Sequence, residues 1–301
     1  MTKFLKKCFW FLTVIVAVNI LYLLVLFCFS PSFKKIYEIS NFRRENFDLI
    51  VLGNSMALDG IDAEYLSSKG LSTYNLAVAG DHVSTSLLLL EDYLKKNNKP
   101  KMVVVGLSSA IGRSYLNPVA YVNPEVEFFY HPSLFSNIST PPLLNFQWLA
   151  VDLVKILISK DHRNAKIVKG QWQTQKVIPD QSSYKNGVVK SIDYRDQYLQ
   201  KIVEICSNQR IRLVLIELPG ANSNRNSLPF EYLVKLNDKS THKVYNLNNY
   251  EVSSRMLNSS SDWLAIDHLN QNGGRKITVY ILDHILKSEL NTPLMSEKKT
   301  K

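Results

Sequence analysis

The chain is poor in cysteine, with only Cys8, Cys28 and Cys206. Cys8 and Cys28 belong to an apolar N-terminal stretch. Cys206 stands alone in the run KIVEIC, where a small core residue is expected. No CxxC or similar metal-ligand spacing exists, and no disulfide framework is available to the main body of the chain. A glycine-rich phosphate loop is also missing. The segment GNSMALDG, which follows the first apolar run, has neither GxGxxG nor a P-loop lysine, and this argues against a nucleotide-binding domain. The formal net charge is +10, yet no basic helix interleaved with aromatics stands out, so nucleic acid is not the expected partner. Internal repeats and low-complexity tracts are absent, and no cofactor is implied.

The positive charge gathers instead at Lys3, Lys6 and Lys7, at Lys34, Lys35, Arg43 and Arg44, and at Lys298, Lys299 and Lys301. The first two groups flank Phe9 to Phe29, about 21 residues without a charge, which suits a hydrocarbon core of about 30 Å. Trp10 and Tyr22 add aromatic character there, and Asn19 is the one strongly polar side chain. A cleavable signal peptide is the alternative reading. Ser30-Pro31-Ser32 is a poor cleavage site because of its proline, so an uncleaved signal anchor is expected. Residues 1–31 then form a cytoplasmic arm and transmembrane anchor, and residues 32–47 a tether or short helix. Positive charge on both sides keeps the positive-inside rule from deciding orientation. The short arm MTKFLKK is expected in the cytoplasm, with the main domain extracellular or periplasmic. The partner implied is the lipid bilayer of the cell membrane, reached through one helix.

A regular alternation begins at Asp48. Asp48 to Gly53, Thr73 to Val78, Lys101 to Leu107, Arg212 to Glu217 and a weak Lys243 to Asn246 read as strands. Ala57 to Lys69, Val83 to Asn97, Gln147 to Ser159, Ile192 to Gln209, Pro229 to Asp238 and Gly273 to Leu290 read as helices. Strands alternating with helices predict right-handed crossovers. The expected fold over residues 48–290 is a flavodoxin-like three-layer α/β/α domain with a parallel five-stranded sheet, followed by a polar basic tail at 291–301. Residues 108–190 break the rhythm with Pro118, Pro124, Pro132, Pro141 and Pro142, and are too long for a connecting loop. They read as an insertion, either a lid or binding surface or a structural subdomain without a ligand. Tyr115, Tyr121, Phe128, Phe129, Tyr130 and Trp148 are candidate walls for a glycan or acyl chain, or ordinary core.

Two segments far apart in sequence carry the chemistry. DLIVLGNSMALDGID places Ser55 just after an apolar strand, and DHLNQNGG places His268 on a loop before a helix. A serine at a strand-to-helix turn presents its hydroxyl beside the amides that open the helix, and a histidine brought to it takes its proton. An ordinary turn and an ordinary N-cap are the competing structural readings. Ser55, Gly80, Ser108 and His268 all follow expected strands. In a parallel sheet, sites gather at the carboxyl ends of strands.

These residues resemble the SGNH (GDSL-like) hydrolase superfamily over roughly Asp48 to Lys287, with the middle insertion unmatched. The likeness is greatest to membrane-anchored, envelope-facing members, which include D-alanyl teichoic-acid transfer proteins and glycan O-acetyltransferases. The resemblance makes Ser55 of Gly53-Asn54-Ser55 the nucleophile, and Gly80 of YNLAVAGDH an oxyanion donor beside the Ser55 amide. His268, in His268-Leu269-Asn270 with Gly273 following, becomes the base. Two departures stand out. Gly106-Leu107-Ser108 replaces the usual Gly-x-Asn, so Ser108 takes the place of the asparagine oxyanion donor. Ala265 replaces the aspartate normally three residues before the histidine. Asp267 is the candidate substitute, Asp262 a weaker one, and a Ser-His dyad is the remaining option. The resemblance implies a serine acyl transferase or esterase acting on an acylated envelope glycan or acyl donor. A membrane-bound O-acyltransferase is a further partner in the transfer case. The alternative is a catalytically impaired binding or scaffolding protein of envelope polysaccharide modification.

Overall fold

Residues 49–53 (LIVLG) are fully buried and apolar on both faces, the pattern of a central parallel strand. They open the sheet of the computed structural model, which describes residues 1–80, 82–108, 122–130, 141–158, 166–177, 192, 194–220, 228–236, 238–265 and 267–292. The chain divides into two compact units. One comprises Met1–Asn41 and Asn123–Asn164, the other Phe42–Val122 and Ala165–Lys301.

In the first unit, α1 (Thr2–Phe29) is long and apolar enough to cross a membrane. Ser30 ends it and caps α2 (Pro31–Ser40), its hydroxyl accepting from the Phe33 amide at 3.3 Å, with Pro31 at the first helical position. Three further helices belong here: α6 (Pro124–Tyr130), α7 (Pro142–Asn145) and α8 (Gln147–Ile158). Leu26, Phe33, Phe146 and Leu149 form the buried cluster that joins them.

The second unit holds a six-stranded sheet. Its strands are β1 (Leu49–Gly53), β2 (Thr73–Asn75), β3 (Met102–Leu107), β6 (Arg212–Glu217), β7 (Glu231–Lys235) and β8 (Thr241–Asn246), in the order β2-β1-β3-β6-β8-β7. The first five in that order are parallel, as expected. β7 adds a sixth, antiparallel to β8. This corrects the helix expected at Pro229 to Asp238. Tyr232 and Val234 are more buried than their neighbours, a period of two that suits pairing along an otherwise open edge of β8.

One face of the sheet carries α3 (Ser55–Gly60), α4 (Ala63–Ser68) and α11 (Gln271–Ile281), sealed by Leu49, Val51, Val104, Ile216, Leu66 and Ile277. The alternate residues Ile50, Leu52, Val103 and Val105 are equally buried on the other face, where α5 (Val83–Lys96) and α9 (Gln197–Asn208) pack together.

The single helix expected over Ala57 to Lys69 is two. Asp62 restarts the chain as an N-cap, accepting from the Tyr65 amide at 2.8 Å, and its Oδ2 accepts from Arg275 Nε at 2.6 Å. A hairpin of β4 (Lys166–Val168) and β5 (Gln171–Gln173) lies within the expected insertion. Its Lys169-Gly170 turn has φ of 46° and 80°, as a type I′ turn requires. Lys169 O accepts from the Asn75 amide at 2.9 Å, and Gln171 donates to Asp59 O at 3.0 Å, so the hairpin belongs to the second unit and braces α3. Tyr115 and Tyr121 of the insertion, Asp81, and the tail lysines Lys298, Lys299 and Lys301 lie outside the described residues.

Candidate active site

The strand order places a switch point at β1, whose chain leaves first for β2 on one side and later for β3 on the other. In open parallel sheets that is where a crevice opens. Ser55 is the first residue of α3, directly after this point. Asn54 is the helix N-cap, its Oδ1 accepting from the Met56 amide at 3.0 Å. The first amides of a helix have no intrahelical partner and point toward whatever lies before it.

The turn is tight because two glycines permit it. Gly53 and Gly106 are register partners on β1 and β3. A methyl on Gly53 would stand 2.6 Å from Ala57 Cβ, and one on Gly106 would stand 2.7 Å from the same atom. Gly53 also adopts φ of +145°, a conformation that side chains rarely allow. α3 is therefore pressed onto the ends of both strands. Asn75 holds its other end, donating through Nδ2 to Ala57 O at 2.8 Å and to Ile61 O at 3.1 Å.

His268 comes from a second small hairpin, β9 (Trp263–Ala265) and β10 (His268–Leu269), and so stands on a short strand rather than on a loop. Asn270 caps α11 behind it, its Oδ1 accepting from the amides of Asn272 and Gly273 at 3.0 and 3.1 Å. The same side chain donates to Ser261 O at 2.7 Å and Lys176 O at 3.3 Å, and the Gln271 amide donates to Thr174 O at 2.9 Å. Residues 171–176 thus brace both α3 and the histidine hairpin. The outcome is one short contact: His268 Nε2 lies 2.7 Å from Ser55 Oγ.

The far side of the imidazole differs from a complete triad. For Nε2 to accept the serine proton, the ring's own proton must be on Nδ1. That atom is buried and has no hydrogen-bond partner among the described residues. Ala265 is the register partner of His268 and offers only a methyl. Asp267 is buried beside the histidine without hydrogen-bonding Nδ1. Its influence is electrostatic. Burial depresses the His268 pKa below the ordinary imidazole value, and the Asp267 charge pulls it back up. Asp262 is fully committed elsewhere. Its Oδ2 accepts from Lys276 Nζ and from the Asn258 amide, both at 2.7 Å, and its Oδ1 accepts from Ser261 at 3.1 Å.

The three expected oxyanion donors are placed differently. Ser55 is at the helix start. Gly80 is exposed, in the left-handed region at φ of +67°, two residues beyond Val78, whose amide bonds Gly53 O at 3.1 Å. Ser108 is fully buried at the end of β3 and donates to Met56 Sδ at 2.8 Å. Its hydroxyl reaches an oxyanion only by leaving that sulfur. Asn54, Asn75, Gln171 and Asn270 position the site; Asn54 and Asn270 belong to the motifs around Ser55 and His268, whereas Asn75 and Gln171 carry no sequence signal. The signal for Asn54 and Asn270 was there, since each is an asparagine directly before a helix. Among the described residues no group of three or more His, Cys, Asp or Glu side chains is arranged to hold a metal ion.

No family model matches the chain, and no curated protein does either. A solved structure provisionally described as a platelet activating factor from Streptococcus pneumonia aligns with it at a TM-score of 0.33 and 8% identity, over 89% of this chain and 97% of that one. At that score the likeness carries no argument about fold or chemistry.

Proposed function

We propose that the protein is a membrane-anchored serine acyl transferase or esterase of the SGNH type, acting on an acylated cell-envelope glycan. The observation that carries this reading is the 2.7 Å contact between Ser55 Oγ and His268 Nε2 at the switch point of the sheet. Ser55 Oγ attacks an acyl carbonyl and its proton passes to Nε2. The amides of Ser55 and Gly80 receive the oxyanion, with Ser108 as a further donor if its hydroxyl turns from Met56. Collapse of the tetrahedral intermediate expels the alcohol, which takes the proton from His268 and leaves an acyl ester on Ser55. Water or a glycan hydroxyl, deprotonated by His268, then attacks that ester and frees the serine. Asp267 favours the imidazolium by its charge.

Helix α1 is the anchor in this reading, with its first residues cytoplasmic and the sheet domain on the other side of the membrane. In the transfer case a membrane-bound O-acyltransferase is the expected acyl source.

A fluorophosphonate probe tests the chemistry, because it labels only an activated serine. Labelling mapped to Ser55 and lost in both Ser55→Ala and His268→Ala supports the enzyme. A wild-type protein that is folded but inert to the probe, together with unchanged envelope acylation in cells carrying Ser55→Ala, defeats it. The orphaned Nδ1 favours one second reading, a scaffolding relative in which the site has lost its drive. That same inert result would support it.

A further inference from the structure

We infer that residues 141–158 form a second membrane-embedded element, a broken helix that starts in the acyl-chain region of the bilayer and climbs to its surface alongside the upper half of α1. This rests on α1 spanning the bilayer, as proposed above.

The depth of the segment is set by its bonds to α1. With Phe9 to Phe29 across the hydrocarbon, Asn19 lies ten residues from the outer end, about 15 Å down and near the midplane. Asn19 Oδ1 accepts the Leu143 amide at 3.0 Å. One turn higher, Tyr22 donates its hydroxyl to Phe146 O at 2.7 Å. Higher again, Leu26 is buried in the cluster that holds Phe146 and Leu149. The chain therefore climbs beside α1 from mid-depth toward the surface. α8 has 12 residues and is about 18 Å long, so from the level of Tyr22, about 10 Å down, it runs past the outer end of the hydrocarbon.

Two polar side chains of α1, Asn19 and Tyr22, are spent where this needs them. α7 ends at Asn145 and α8 begins at Gln147, and the first turn of a helix and any break in it leave backbone groups unpaired. In hydrocarbon no water can take them, so protein must. Asn19 and Tyr22 take one donor and one acceptor of that segment. An asparagine in the middle of an apolar span marks a partner at that depth.

The outer side of the broken helix carries a run of exposed apolar residues. Phe146 and Leu149 are buried against α1, while Leu144, Trp148, Val151, Val154 and Ile158 run down the opposite side, each between 39 and 78% exposed. The only charged residues of 141–158, Asp152 and Lys155, come after Leu149, whose level beside Leu26 puts them at the outer surface of the bilayer, where charge meets headgroups and water. The apolar residues of this side continue the exposed apolar surface of α1 itself, where Leu21 and Leu24 are uncovered. Lipid is the occupant that suits a surface continuous with a bilayer-spanning helix.

The test uses the full-length chain with Cys8→Ser, Cys28→Ser and Cys206→Ala, reconstituted in phosphatidylglycerol and phosphatidylcholine vesicles. Single spin labels are attached at Leu144→Cys, Val151→Cys and Ile158→Cys, with Val16→Cys in α1 and Leu233→Cys on the exposed edge strand as references. Accessibility to oxygen, which partitions into lipid, is compared with accessibility to a water-soluble nickel chelate. All labelled positions are exposed, and circular dichroism confirms that each variant folds. The inference expects an oxygen-to-nickel ratio at 144 that matches Val16 and exceeds Leu233 several-fold, with the ratio falling through 151 to a surface value at Ile158. Nickel access at 144 with Val16 protected overturns it. Low access to both reagents there also overturns it, because protein rather than lipid then covers the face. Nickel access at Val16 refutes the anchor reading of α1 itself.

Discussion

Placing a carboxylate opposite His268 should revive the part of the site that is missing. Ala265 and His268 are direct partners in an antiparallel pair, and such partners point their side chains to the same face with Cβ atoms about 4.5–5.5 Å apart. Ala265→Asp therefore puts a carboxylate within reach of the orphaned Nδ1. Ala265 is half-buried, so the new charge is not stranded in a dry core. Loss of the equivalent aspartate in a serine-protease triad costs about 10⁴ in turnover. The gain here should be smaller, because Asp267 already supplies part of the field and the hairpin edge admits solvent. We expect about 10² in the rate of acylation, or about 2.7 kcal/mol.

The pH profile gives a second and independent reading. His268 acts as a base only when neutral. Burial depresses its pKa, so in the wild type the acid limb of the rate falls below the ordinary imidazole value of about 6.5. An adjacent carboxylate stabilises the imidazolium and raises the pKa, so in Ala265→Asp the limb moves to higher pH. The assay is the second-order rate of fluorophosphonate labelling at Ser55 between pH 5 and 9. A folded variant with the wild-type rate and the wild-type limb would refute the reasoning, since the carboxylate would then not face Nδ1.

Three further outcomes are expected. Gly106→Ala puts a methyl 2.7 Å from Ala57 Cβ and 2.9 Å from Leu218 Cδ1, which should lower stability by about 1–3 kcal/mol in urea unfolding and slow Ser55 labelling by lifting α3 from the strands. Asp262→Asn removes the carboxylate that holds Lys276, and should lower the melting temperature while leaving the acid limb of labelling in place; a shifted limb would restore Asp262 as an orienting group. Asp62→Ala deletes the N-cap of α4 and a buried partner of Arg275, and should cost about 1–3 kcal/mol with little change in the labelling rate of the folded fraction.

The central fold was legible because its signals are local. DLIVLG and KMVVVGL are short apolar runs closed by turns, and the leucine-rich helix between them has a clear period. Ser55 and His268 were legible for the same reason, each flagged by its place before a helix. What stayed hidden depends on partners distant in sequence. Glu231 to Lys235 forms a strand only because β8 offers it an edge, and its pattern alone fits a short helix equally well. The hairpin at 166–173 did carry a signal, Lys169-Gly170 between two alternating triplets, but it was lost among prolines and aromatics with no steady period. Asp262 and Asp267 look interchangeable in sequence. Only the fold shows that Lys276 and the Asn258 amide have claimed the first of them.

The bond between Ser55 and His268 closes a loop of 213 residues. During synthesis the serine emerges early and its base very late. Until residue 268 has been made and its hairpin has docked, Ser55 is an ordinary alcohol with no proton acceptor. On the proposed reading, a chain threading through a membrane is chemically silent along that route. It would neither be acylated by esters it passes nor attack them, and the proposed reactivity would arrive only when His268 docks beside Ser55.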